Sequence, residues 1–156
     1  MKNLLIVFLL ASLPGLGQNS AAYRACNEKA KTQTEMNTCA SDEAARVDAE
    51  LNQVYGKLLS QAASEQDAIV KIKAAERAWI AYRDAYMDAM YPAKDKQAEY
   101  GSVYPAEANL VRAKLTQRQV TALKELLRQY SDEEQSGASA PERVKKSGVA
   151  SNKPKP

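Results

Sequence analysis

Three stretches of this chain repeat apolar residues at a helical period, and that period constrains the fold more than any other feature. Between residues 33 and 63, Met36, Ala40, Val47, Leu51, Val54, Leu58 and Ala62 line one stripe of a long helix. Gly56 interrupts it at a cost of about 1 kcal/mol relative to alanine, too little to end the helix. Ser64-Glu65-Gln66-Asp67 reads as a second helix start, after which Ile69, Ile72, Glu76, Trp79, Arg83, Tyr86 and Met90 share a face. A third helix runs from about 106 to 130 on Leu110, Val111, Leu115, Leu123, Leu126, Leu127 and Tyr130, with Thr116 and Arg118 beside the stripe. Ala-rich helices of this kind bury their stripes against each other, which predicts an all-α fold, a three-helix up-down bundle.

Glu76 and Arg83 are the charged members of the second stripe. Either they meet in an internal ion pair or bond to a neighbouring helix, or the stripe is rotated and both are half exposed. Tyr91-Pro92 ends this helix, because a residue before proline avoids helical angles. Residues 91–105 then read as a long connection, and long connections in small domains are often functional.

The chain opens with Met1-Lys2-Asn3, an apolar run from Leu4 to Ala11, and then Pro14, Gly15 and Gly17. That layout predicts a signal peptide over 1–17, with cleavage after Gly17 or as late as Ala22. The run falls short of the roughly 20 apolar residues of a membrane span. Lipidation of Cys26 is a competing outcome, but Tyr23-Arg24-Ala25 suits it badly. A periplasmic or secreted, soluble protein is expected, with a folded domain over 23–130. Residues 131–156, rich in Gly, Ser, Pro, Lys and Glu, read as a disordered tail.

Export favours a disulfide between Cys26 and Cys39 over two free thiols. On one straight helix, 13 steps would hold them about 20 Å apart, whereas a disulfide needs Cα atoms within about 7 Å. The chain must therefore reverse between them. Thr32-Gln33-Thr34-Glu35, a capping box, supplies the break.

Composition closes off several chemistries. The chain has no histidine, the commonest general base and metal ligand, and two cysteines are too few for a cysteine-built zinc or iron–sulfur site. No serine can be activated by histidine, no glycine loop cradles phosphate, and no cofactor or metal is expected. Carboxylate pairs such as Asp84 with Asp88, or Glu76 with Asp84, are what any solvated helix face produces. Residues 18–130 hold 16 basic and 15 acidic side chains, so the body lacks the concentrated basic face of a nucleic-acid binder. Tyrosine is the informative aromatic, a broad contact with a polar tip. Tyr82 and Tyr86 are expected to pack the bundle with Trp79. Tyr100 and Tyr104, on the long connection, are expected at the surface.

Motifs in order then become recognisable. Cys26, Thr32-Gln33-Thr34-Glu35-Met36-Asn37-Thr38-Cys39-Ala40, Asp48-Ala49-Glu50-Leu51-Asn52 and Tyr55 resemble the N-terminal domain of the LprI-type lysozyme-inhibitor family. So do Glu76-Arg77-Ala78-Trp79-Ile80, Tyr82-Arg83-Asp84-Ala85, Gly101-Ser102, and Leu115-Thr116 with Arg118. The resemblance implies a non-enzymatic, exported binding protein that occludes the cleft of a lysozyme-like hydrolase. Tyr100, Gly101, Ser102 and Tyr104 are its expected contacts, the glycine allowing close backbone approach. Asp48, Asn52, Tyr55, Trp79, Arg83, Asp84, Thr116 and Arg118 are its expected hydrogen-bonded scaffold. An envelope adaptor using the same aromatic end is the alternative. Where the family commonly carries two further cysteines, this chain has Met87 and Val111, whose packing would replace a second disulfide. Where it usually has glutamine, this chain has Glu76.

Overall fold

Local capping decides where each helix begins. The structure, a computed structural model, describes residues 19–135; the predicted signal peptide and residues 136–156 of the predicted tail lie outside them. Helix α1 (Ala21–Lys29) starts at Ser20, whose hydroxyl accepts from the Tyr23 N–H, and Lys29 sits favourably in its last turn. Helix α2 (Gln33–Gln61) begins with the expected capping box. The Glu35 carboxylate accepts from the backbone N–H groups of Lys31 and Thr32, which holds it below its ordinary pKa. Helix α3 (Gln66–Met90) ends before Pro92. Helix α4 (Lys96–Tyr100) is capped by Asp95, a 3₁₀ turn covers Gly101–Val103, and helix α5 spans Tyr104–Gln135 with Pro105 in its first turn.

The prediction of three helices is therefore corrected to five α-helices and a 3₁₀ turn among the described residues. The three long ones are those the periodicity marks. The extra two are short, and caps and tertiary ties make them rather than an apolar stripe. α5 also starts two residues earlier than expected and runs through Gln135, five residues into the segment read as disordered. α1 includes Ala21 and Ala22, so a cut after either would remove its cap.

The core is a parallel pair, α2 with α5. Asn37 bonds to Ser102, Asp48 to Thr116 and Glu50 to Lys124, partners that advance together along both helices. Ala40, Ala44 and Ala113 are buried and let the two backbones approach, while Val47, Leu51, Val54, Leu58, Val120 and Leu123 fill the space between. Leu58 and Val120 are wholly buried, and each such side chain contributes about 1.5–3 kcal/mol through burial. α3 runs antiparallel to both and buries only Ile72, Glu76 and Met87.

The Cys26–Cys39 disulfide forms, with Cα atoms 5.7 Å apart. It ties α1 back along the first turns of α2. α1 buries no residue of its own. Its other tie is a clasp at Ser20, whose N–H and hydroxyl both donate to Glu43, at 3.0 and 2.5 Å. Arg46 donates two more bonds to the same carboxylate. Burial alone would raise the Glu43 pKa, but these hydrogen bonds from Arg46 and Ser20 outweigh it and lower the value from 4.5 to about 2.

Candidate functional site

The long connection is an ordered knob. Lys96 Nζ donates to the Tyr91 and Ala93 carbonyls, fixing the chain just past Pro92, and the Tyr100 hydroxyl accepts from the Ala93 N–H. Tyr91, Tyr100 and Tyr104 then close into a cluster. Tyr91 meets the other two edge-on, with ring centroids 5.4 and 5.0 Å away, and Tyr100 stacks on Tyr104 at 5.8 Å. Burial pushes the Tyr91 phenol above its ordinary pKa, with Glu107 and the two neighbouring tyrosines adding to it. Met87, Ala108 and Leu115 lie beneath, with Val111 packed alongside. Met87 and Val111 thus join α3 to α5 by apolar contact.

Gly101 turns the chain at the crest with φ 70 and ψ −167, a region that only glycine occupies without strain. A Cβ there would touch nothing, so its role in the isolated chain is backbone conformation. Ser102 and Val103 follow, exposed, and the Ser102 carbonyl accepts from Asn37 Nδ2 at 3.2 Å. Tyr100 and Tyr104, expected at the surface, are half-buried anchors, while Ser102 and Val103 form the tip.

Tyr82 and Tyr86 depart from expectation. They do not pack the bundle with Trp79: they are 56% and 38% exposed, pair with each other at 6.0 Å, and run on toward Met90, itself 46% exposed. Close contact between α2 and α5 leaves α3 only a narrow buried edge, and these residues fall outside it.

Five of the eight expected scaffold residues do converge. Asp48, Asn52 and Tyr55 on α2 face Trp79 and Arg83 on α3 across an open groove of about 440 Å³, completed by Leu51, Lys73, Glu76, Arg77 and Ile80. Asp48 accepts from the buried Thr116 hydroxyl at 3.3 Å. Glu76, also buried, accepts from Gln119 Nε2 at 2.9 Å, so it bonds to a neighbouring helix and does not pair with Arg83. The Arg83 guanidinium lies 5.2 Å from the centre of the Trp79 ring and pairs with exposed Asp84. Arg118 is exposed and does not line the groove.

The clasp was missed by sequence reasoning, although a signal for it existed. The step of seven from Ala40 to Val47 passes over Glu43, which completes the same stripe at spacings of three and four. A carboxylate in an otherwise apolar stripe demands partners.

Fold and site together define a disulfide-stapled helical protein that presents a rigid knob and an open groove. The chain belongs to the lysozyme inhibitor LprI family, whose profile matches residues 26–123. It is 32% identical over 110 residues to an uncharacterised protein of Rhizobium meliloti, a match covering 64% of this chain and 76% of that one. No solved structure matches it. Among the described residues no helix is long and apolar enough to cross a membrane.

Proposed function

We propose that this protein is an exported inhibitor of a lysozyme-like peptidoglycan hydrolase and acts by occlusion. The knob from Tyr100 to Tyr104 covers the enzyme's cleft, and no bond is made or broken. Family membership supports the class of partner. The observation that carries the mode is the knob itself: a glycine-only turn lifts Ser102 and Val103 clear while two tyrosines anchor them from below. Rigidity matters, because a tip already held in shape loses little conformational freedom on binding. A body near neutrality offers a basic enzyme little steering, so shape and apolar contact carry recognition. A standard interface needs about 800 Å² per partner. Met90, next in the chain to Tyr91 of the cluster, extends the contact beyond the tip.

Cell-wall lysis by a lysozyme, followed with increasing amounts of the purified chain, tests this reading. Dose-dependent protection is expected. Val103→Asp should weaken it by about 1.4 kcal/mol or more, tenfold in affinity, without lowering the melting temperature, since Val103 is 40% exposed. Undiminished lysis at large molar excess overturns the inhibitor reading. Full inhibition by Val103→Asp and Ser102→Arg overturns the knob as its contact.

A second reading draws on the exposed, paired rings of Tyr82 and Tyr86, a surface of α3 apart from the tip that suits an envelope adaptor binding another protein. Recovery of a non-hydrolase partner from envelope extract, lost on Tyr82→Ser with Tyr86→Ser, favours that reading.

A further inference from the structure

The groove between α2 and α3 is of a size that takes small molecules, and its lining selects their chemistry. Among the described residues Asn52, Tyr55, Lys73 and Arg77 have no hydrogen-bond or ion-pair partner, so their donors are uncommitted. Asp48 and Glu76 each give one oxygen to α5 and keep the other. Donors and acceptors therefore stand side by side.

An anionic ligand entering here meets the Asp48 and Glu76 carboxylates. A cation meets Lys73, Arg77 and Arg83. A purely apolar ligand takes water from all of them and returns no hydrogen bond. A neutral polyol satisfies both kinds of group, because each hydroxyl donates and accepts. The remaining lining, Leu51, Ile80 and the rings of Tyr55 and Trp79, gives an apolar surface for the C–H face of a pyranose.

We propose that this groove binds a neutral oligosaccharide. Tyr55 and Trp79 support a sugar ring, Asp48 and Glu76 accept from its hydroxyls, and Asn52 and Arg77 donate from the rim. The proposal stands apart from the knob and does not rest on the inhibitor reading.

Trp79 is the chain's single tryptophan, so its fluorescence reports on the groove directly. The full chain is titrated with the N-acetylglucosamine trisaccharide, with the glucose trisaccharide, and with glucuronate as the acidic arm. A saturable change with at least one neutral sugar is expected, weakened about fivefold or more in Asn52→Ala and in Arg77→Ala. Both positions are exposed and unpartnered, so these variants should melt as the wild type does. Ser102→Arg, altered at the knob, should bind the sugar unchanged. The proposal is overturned if neither sugar gives a saturable signal, if glucuronate binds more tightly than both, or if the two rim variants bind like the wild type.

Discussion

Replacing Glu43 with glutamine tests how α1 is held. The carboxylate is 5% exposed and accepts four hydrogen bonds, two from Ser20 and two from Arg46. Its pKa falls from 4.5 to about 2 on folding. At about 1.4 kcal/mol per pH unit, that gap sets a ceiling of about 3 kcal/mol on what ionisation adds to stability. Arg46 is 42% exposed, and solvent screens its share, so an effect of about 2 kcal/mol is expected. The sign follows from the direction of the shift. A carboxyl with a depressed folded pKa contributes fully above its unfolded value, and the contribution is lost as pH falls through the folded one. Urea unfolding of wild type and Glu43→Gln should therefore differ by about 2 kcal/mol at pH 6 and converge between pH 4.5 and about 2. A difference that stays constant across that range, or one below about 0.5 kcal/mol at pH 6, would refute the clasp.

Gly101→Ala should cost about 1–3 kcal/mol, because the added Cβ meets no neighbour and the strain lies wholly in the backbone; an unchanged urea midpoint contradicts the assigned turn. Cys26→Ser with Cys39→Ser should lower stability by about 3 kcal/mol through the opened short loop. In that variant hydrogen exchange should accelerate across α1 before the paired helices α2 and α5 respond; equal protection of α1 in both forms would show that the clasp suffices alone.

The long helices were legible because each repeats its apolar residues often enough to define a face. α1 and α4 were not, since nine and five residues hold too few turns to show a period. Their signals were single residues, Ser20 and Asp95 as caps, and a cap without a stripe predicts little. Ring exposure was misjudged along α3 for a reason sequence cannot carry: how closely α2 and α5 approach decides how much of a third helix they cover. The groove was half legible. Asp48, Asn52, Tyr55, Trp79 and Arg83 are grouped by the family motifs that hold them, whereas Lys73 lies in none of those motifs and Arg77, though inside one, carries no role until α2 supplies the opposite wall. At the knob, glycine's freedom was expected to serve a partner's approach. It serves first to make the turn itself.

The α1–α2 hairpin also bears on how this chain matures. With two cysteines in the sequence, an oxidant has one pairing to make within a molecule, so there is no wrong isomer to reshuffle. The 13-residue separation lets that bond close while the later helices are still unstructured. A newly emerged chain thus gains a locked corner early, and no disulfide reshuffling delays assembly of the remainder.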